Sequence, residues 1–146
     1  MNGDNLKLNN QGCFRLYTAA RLLMQAYQPW FAKLVITYTQ YLVLMVLWEQ
    51  DAQPLNAISR RLYLESNTLT PLIKRMETMK IVSRKKNKED ARQTIVTLTE
   101  HGKAMQHQAA DIPNCVSALL REKGIDEAAF AAIIPTLDRM IEILSK

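Results

Sequence analysis

Apolar residues recur at intervals of three and four over long stretches of this chain, and that spacing most restricts its fold. It marks one face of a helix in residues 13–31, 69–79 and 130–144. Residues that make tight turns are few, with 4 Gly and 5 Pro among 146 residues. A sandwich or barrel of many short strands is therefore disfavoured as the main fold. The sequence predicts a mainly α protein.

The helical pattern has recognisable ends. The first stretch is expected to bend or end at Pro29, because proline lacks the amide hydrogen that a helix interior needs. The next helix, residues 41–50, opens with eight apolar residues and is expected to be buried. A helix beginning at Thr99 is expected to reach Leu120 past a bend at Pro113, and a last helix covers residues 126–144.

The centre of the chain contains two helices joined by a tight connection. Pro54 begins a short helix that runs to Leu62, and Ser66 is expected to be the N-cap of a second helix that runs to Met79. The second helix has an apolar stripe on one side and polar or basic residues on the other. This order is typical of a helix-turn-helix, whose second helix enters the major groove of DNA.

Two β-rich runs follow, residues 81–86 and 93–99, with the charged segment 87–92 between them. They predict a β-hairpin, or wing. The predicted fold is mainly α with this small wing, a winged helix-turn-helix of about residues 54–98. Helical arms of about 8–36 and 99–146 flank it within one domain. The apolar stripes of the arms exceed what the small module can cover, which favours a homodimer.

The positive charge lies in the same central segment. The chain carries 19 basic and 14 acidic residues, a net charge of +5. Residues 55–103 hold eleven basic and five acidic side chains, or +6, and the remainder is close to neutral. That distribution indicates a surface for a polyanion such as double-stranded DNA, although a solvated basic face is the simpler alternative. The candidate DNA-contacting residues are Ser66, Thr68, Thr70, Pro71, Lys74, Arg75, Lys85, Lys86, Lys88, Asp90 and Arg92.

Several other functions are disfavoured. Cys13 and Cys115 lie too far apart for a paired metal or redox motif, and two cysteines fit a reducing cytoplasm. No secretory signal is predicted, and the longest apolar run, residues 41–48, is far shorter than the ~20 residues of a membrane span. His107, Asp111 and Cys115 are spaced along one helix face, but Pro113 would distort such a metal site. No metal, no cofactor, no membrane partner and no enzymatic activity are predicted.

Several motifs resemble the multiple-antibiotic-resistance regulator (MarR) family. Its wing signature is similar to Asp90-x-Arg92, Val96-x-Leu98-Thr99 and Gly102, and the end of its recognition helix is similar to Arg75-x-Glu77. A narrower resemblance, to the organic-hydroperoxide-resistance repressors (OhrR), rests on Cys13-Phe-x-Leu-Tyr17-x-Ala-x-Arg21, Tyr27-x-Pro29, Thr37-Tyr38-x-Gln40-Tyr41-Leu, Leu47-Trp48-Glu49 and Leu69-Thr70-Pro71-Leu72.

The OhrR resemblance implies roles for four residues. Cys13 matches the peroxide-sensing cysteine, and Tyr27 and Tyr38 match tyrosines that hydrogen-bond its thiolate from the dimer partner. Cys115 matches the second cysteine of two-cysteine members, which forms a disulfide between subunits. From the residues alone, the simpler interpretation of Cys13 is a small apolar group of a helix stripe. Cys115 is either a resolving thiol or a packing residue.

The predicted function follows from the module and the resemblance together. The chain is expected to bind operator DNA as a reduced dimer and to release it when an organic hydroperoxide oxidises Cys13. One alternative is a regulator of the same fold that responds to a small aromatic ligand at the dimer arms. Another is a thiol protein that scavenges peroxide and whose basic surface is incidental.

Overall fold

The computed structural model describes residues 3–146, which form two units. The first unit ends at Tyr38, and the second comprises Thr39–Lys146. The prediction of a single domain stays a prediction.

The first unit is helical. Two 3-10 turns, Gly3–Leu6 and Leu8–Asn10, precede helix α1 (Gly12–Ala26) and helix α2 (Gln28–Leu34). The predicted long helix is thus broken at Tyr27, and Pro29 lies in the first turn of α2. Proline is tolerated there, because the first amides of a helix have no partner inside it. The prediction that the first helix ends near Pro29 is confirmed.

The second unit contains the remaining elements. In chain order they are α3 (Tyr38–Glu49, which begins at the last residue of the first unit), β1 (Gln53–Pro54), α4 (Leu55–Leu62), α5 (Ser66–Thr78), β2 (Val82–Lys86), β3 (Thr94–Leu98), α6 (Glu100–Ala109), α7 (Ile112–Glu122) and α8 (Glu127–Leu144).

A three-stranded antiparallel sheet forms the wing and its base. The strand order is β1-β3-β2, and β2 pairs with β3 from Val82 opposite Leu98 to Lys86 opposite Thr94. The predicted hairpin is therefore confirmed. The strand β1 was not predicted, because two residues that include a proline carry no periodic signal of their own. Its existence depends on pairing with β3.

The core of the second unit lies around α3, α4, α5 and the sheet. As predicted, α3 is largely buried. The apolar stripe of α5 is also inside, as its spacing predicted. The most deeply buried side chains of this unit include Val43, Leu44, Leu47, Ile58, Leu69, Ile73, Met76, Ile81, Val82, Val96 and Met105.

The helix expected over residues 99–120 is two helices. α6 ends at Ala109 and α7 begins at Ile112, so the break precedes Pro113, which takes a place in the first turn of α7. The predicted bend at Pro113 is therefore wrong in position by a few residues. Proline disfavours the helical conformation at the residue before it but is tolerated in the first turn of a helix, so the break lies upstream of Pro113. Thr99 caps α6 as predicted, because its hydroxyl accepts the Gly102 amide hydrogen at 3.1 Å.

Within residues 3–146, no single helix is both long enough and apolar enough to cross a membrane. α2 and α3 reach that length and composition only when they are counted together across the break between them.

Candidate nucleic-acid interface and thiol site

The outer face of α5 is defined by the side that packs inward. Leu69, Leu72, Ile73 and Met76 are buried, so the residues opposite them face outward. The six contacts predicted on α5 are solvent-accessible: Thr70 is half-buried, and the others are exposed, namely Ser66, Thr68, Pro71, Lys74 and Arg75. The structure therefore presents every one of them on the surface of one helix.

The beginning of α5 corrects one prediction. The N-cap is Glu65, in extended conformation and without a side-chain capping bond, and Ser66 is the first helical residue. The carbonyl of Ser66 accepts the Thr70 hydroxyl at 2.7 Å. Glu65 and Ser66 are neighbours, and serine is much the more common N-cap residue. The sequence therefore favoured Ser66, one position too late. The hydroxyl of Ser66 is consequently not used to cap the helix.

The wing tip holds a braced arginine. Asp90 Oδ1 accepts hydrogen bonds from the Arg92 main-chain amide and from Arg92 Nε, both at 3.1 Å. The Arg92 side chain is nevertheless 92% exposed. Lys88 in the tip is exposed, as are Lys85 and Lys86 at the end of β2. The predicted pairing of Asp90 with Arg92 is confirmed, and it presents a guanidinium at the end of a hairpin.

An ion pair between α5 and the wing was not predicted. Arg84 on β2 donates to Glu77 on α5 through its side chain, at 3.1 and 3.3 Å, and through its main-chain amide, at 3.1 Å. The hydrogen bonds and charge of Arg84 lower the pKa of the Glu77 carboxyl. Both residues are in segments that the sequence assigned to α5 and β2, but their pairing depends on how those elements pack. The pair ties the orientation of the wing to that of α5.

The first turn of α6 is joined to the segment between α5 and the wing. Thr99 Oγ1 lies 2.6 Å from the carbonyl oxygen of Lys80 and 2.9 Å from that of Ile81. Trp48 Nε1 donates to the carbonyl of Gly102 at 2.9 Å. A Cβ atom at Gly102 would lie 2.2 Å from the Ile81 oxygen. The chain approaches itself so closely here that only glycine fits at position 102.

Cys13 lies in the first turn of α1 and is exposed. The N-cap of this helix, Gln11, makes no side-chain capping bond, and its side-chain amide donates to the carbonyls of Asn5 and Lys7. Arg15 donates to the carbonyls of Asn9 and Gln11, at 2.6 and 3.1 Å. These bonds hold the 3-10 turns against the start of α1, beside a thiol that solvent reaches.

Tyr27 and Tyr38 come together in the first unit. Their ring centroids are 5.2 Å apart in an edge-to-face arrangement, and Tyr27 also stacks on Phe31 with centroids 5.2 Å apart. Burial raises the pKa of the Tyr38 hydroxyl, and a phenol, which is protonated at neutral pH in any case, can donate a hydrogen bond. The role predicted for both tyrosines involves the thiol of a second chain and stays a prediction.

Cys115 lies in the first turn of α7 and is half-buried. Its thiol donates to a carboxylate oxygen of Asp111 over 3.5 Å. His107 belongs to the preceding helix, so the regular spacing that suggested a metal site does not continue through one helix. No group of three or more His, Cys, Asp or Glu side chains among residues 3–146 is arranged to hold a metal ion.

The two arms have unburied apolar faces. Neither α1 nor α8 contains a buried residue. Phe14, Leu16, Tyr17 and Leu22 are exposed on α1. The corresponding side chains of α8 are Phe130, Ile133, Ile134, Met140, Ile141, Ile143 and Leu144. Apolar surface of this extent is typical of an interface between proteins.

A helix pair with a basic outer face, followed by a hairpin wing, defines a winged-helix module. Known proteins identify the family more closely. The model of the transcriptional regulators SarA and Rot matches residues 25–108. The organic hydroperoxide resistance transcriptional regulator of Bacillus subtilis is 40% identical over 134 residues, which are 92% of this chain and 91% of that protein. The chain belongs to the MarR family of transcriptional regulators, in the group that contains this relative.

Two solved structures of AbfR, a protein of Staphylococcus epidermidis, are also similar to this chain. Reduced AbfR bound to DNA is 36% identical, with a TM-score of 0.81 and complete coverage of both chains. Disulfide-containing AbfR is 39% identical, with a TM-score of 0.66, over 94% of this chain and 95% of that one.

Proposed function

We propose that this protein is a redox-sensing repressor, which binds operator DNA as a reduced dimer and releases it when an organic hydroperoxide oxidises Cys13. The observation that carries the proposal is an exposed thiol in the first turn of an arm helix, in a chain whose second unit is a winged-helix module. One chain thus holds a group that peroxide can reach and a surface that fits DNA.

The relatives support both halves of the proposal. The B. subtilis relative is named for resistance to organic hydroperoxide and for transcriptional regulation. AbfR has been solved in a reduced form on DNA and in a disulfide form. These descriptions apply to those proteins, and the shared family and fold extend them to this chain as an expectation.

On DNA, α5 would lie in the major groove and the hairpin between β2 and β3 would reach the adjacent minor groove. The major groove admits one α-helix, and a guanidinium inserted into a narrow minor groove meets an enhanced negative potential. Lys85, Lys86 and Lys88 would contact phosphates on either side of Arg92. Asp90 holds the Arg92 side chain in place before DNA binds. Less side-chain conformational entropy is therefore lost on binding.

Dimerisation would cover the apolar faces of α1 and α8. A two-fold symmetric dimer presents two α5 helices, and these fit half-sites about one helical turn apart. Any change in the arms that alters the spacing of the two modules weakens both contacts together.

The chemistry at Cys13 needs only peroxide. The thiolate sulfur attacks a peroxide oxygen, an S–O bond forms, and the O–O bond breaks. The leaving alkoxide takes a proton and departs as an alcohol, so sulfur is oxidised by two electrons and the peroxide is reduced. The partner's Cys115 can then condense with the sulfenic acid to give a disulfide and water.

This reaction is stoichiometric, so the proposal describes a regulator and not an enzyme. A DNA-binding regulator acts where the chromosome is, and a cytoplasmic location is part of the proposal.

The direct test measures DNA affinity in three states: reduced, treated with cumene hydroperoxide, and treated again with a thiol reductant. Binding that is lost on oxidation and restored by the reductant supports the proposal. Release by a phenolic compound without a response to hydroperoxide would favour the ligand-sensing alternative. Peroxide consumption without DNA binding would favour the scavenger.

Arg92→Ala is expected to weaken operator binding by about 1–3 kcal/mol, because the exposed guanidinium of the wing is lost from a narrow minor groove. The slope of affinity against salt concentration should also become shallower. Fluorescence anisotropy with labelled operator at several salt concentrations measures both quantities. Lys123→Ala, which removes one exposed charge outside the winged-helix module, is the matched control. Equal effects of the two variants would contradict the role of Arg92.

Cys115→Ser is expected to react with peroxide but to form no covalent dimer. Wild type should run as a covalent dimer on a non-reducing gel after oxidation, because a disulfide between the Cys13 of one protomer and the Cys115 of its partner links the two chains. The bond with Asp111 must break for Cys115 to react, and the two Cα atoms must come within about 7 Å.

Mass spectrometry supplies the second measurement on Cys115→Ser. Cys13 should reach the sulfinic acid more readily in this variant, since no protein thiol traps the sulfenic acid. If oxidised wild type loses DNA yet stays non-covalent, Cys115 is a packing residue and a small external thiol is the partner of Cys13.

A further inference from the structure

Asn67 lies on the side of α5 opposite its buried stripe, and it was not among the predicted DNA contacts. At 100° per residue, Asn67 points almost directly away from the buried stripe of Leu69, Leu72, Ile73 and Met76. Ser66 and Thr68 are each turned by about 100° from Asn67, toward the flanks of the helix. Pro71, Lys74 and Thr78 continue the line of Asn67 along the helix, and we call these four residues the outer stripe.

The hydrogen bonds of this face distinguish Asn67 from its neighbours. The hydroxyls of Thr70 and Thr78 donate to the carbonyls one turn back, Ser66 and Lys74, at 2.7 and 3.1 Å. Within residues 3–146, the Asn67 side chain makes no hydrogen bond and is exposed. Of the outer stripe, therefore, Asn67 alone offers both a donor and an acceptor to an external partner.

A second feature concerns the backbone at the same position. Pro71 lies inside α5, four residues after Asn67. Because proline has no amide hydrogen, the carbonyl of Asn67 lacks the helical donor that it would otherwise have. An asparagine amide and a main-chain acceptor therefore lie together in the first turns of α5.

We propose that Asn67 reads an adenine in the major groove of each operator half-site. An asparagine amide can accept from adenine N6 and donate to adenine N7 at once, and no other base offers that pair of groups in this arrangement. Residues near the start of a recognition helix reach base edges most directly. This inference rests on the proposed function, because it assigns a base preference to the same DNA-binding face.

Pro71, the next residue of the outer stripe, indicates which base pair lies beside the one that Asn67 contacts. Pro71 lies about 6 Å further along the helix axis, a distance of one to two base-pair steps of about 3.4 Å. Its ring is apolar and has no donor, so it suits contact with a thymine methyl group. The expected half-site therefore contains an A·T pair under Asn67 and a second A·T pair one or two steps away.

The test selects operators from randomised duplex DNA with reduced wild type, Asn67→Ala and Lys74→Ala. Wild type should prefer adenine at one position of each half-site by about 5- to 100-fold. Asn67→Ala should lose that preference while other positions keep theirs. Lys74→Ala, the matched control on the same stripe, should weaken binding to all sequences alike. Alanine is a better helix former than asparagine, so the Asn67 variant is expected to fold.

A modified base gives an independent measurement. Substituting 7-deazaadenine at the preferred position removes N7 and should weaken wild type several-fold, but it should leave Asn67→Ala unaffected. Unchanged base preferences in Asn67→Ala, or an equal loss on all sequences, would overturn the inference and leave the proposed function intact. If wild type selects no sequence at all, the proposed function itself fails.

Discussion

Cys13→Ser is expected to bind operator as tightly as reduced wild type and to remain bound when organic hydroperoxide is added. A serine hydroxyl is close in size to the thiol, but near neutral pH it is a poor nucleophile toward an O–O bond. The exposed position of Cys13 allows the replacement without a packing penalty. The ratio of DNA affinities before and after peroxide should be near one, whereas wild type should lose most of its binding.

The matched control removes the other thiol. Cys115→Ser keeps Cys13 and should still respond to peroxide, although its end product differs. If Cys13→Ser is released from DNA by hydroperoxide, the sensing group lies elsewhere in the chain. The measurement is the same anisotropy titration, with a reductant added at the end to show that any release is reversible.

Gly102→Ala is expected to lower the free energy of unfolding by roughly 3 kcal/mol, the upper end of ordinary overpacking effects. The added Cβ would lie 2.2 Å from the Ile81 carbonyl oxygen and 3.1 Å from Leu98 Cδ2. Since the nearest atom belongs to the backbone, a side-chain rotation cannot relieve the contact. The first turn of α6 must move away from the base of the wing, and operator affinity should fall as well.

Gly12→Ala is the control for this substitution. Gly12 also lies in a helix, but no heavy atom is within 4 Å of a Cβ placed there. Replacing it should leave stability unchanged or raise it slightly, because alanine favours the helix. Urea denaturation of all three proteins at one protomer concentration gives the comparison. Equal stability of Gly102→Ala and wild type would show that the approach to Ile81 is not restrictive.

The elements that the sequence predicted correctly are those whose signal is local, such as helix α5 and the β2–β3 hairpin. The apolar spacing of residues 69–79 correctly gave the buried side of α5, and two β-rich runs around a polar segment gave the hairpin. The Asp90–Arg92 contact could also be anticipated, because both residues lie in one short turn. In each case the determining interactions are local or follow a simple repeat.

The features that were missed depend on neighbours distant in sequence. The strand β1 exists only because Gln53 and Pro54 meet Val96 and Ile95. The Glu77–Arg84 pair requires the packed positions of α5 and β2. Asn67 is a different case, because the apolar spacing already placed it on the polar side of α5 and it was only left out of the predicted DNA contacts. Side-chain chemistry and the buried side of a helix could be predicted from the sequence, but pairing between distant segments could not.

The exposed apolar faces of α1 and α8 also affect how steeply operator occupancy depends on the concentration of the protein. If those faces meet only in a pair of chains, DNA-competent protein arises by association. At low abundance its amount grows with the square of the protomer concentration. Operator occupancy would then fall more steeply than protein level during dilution by cell growth. Two exposed helices would thereby give the repressor a threshold in copy number, separate from its response to peroxide.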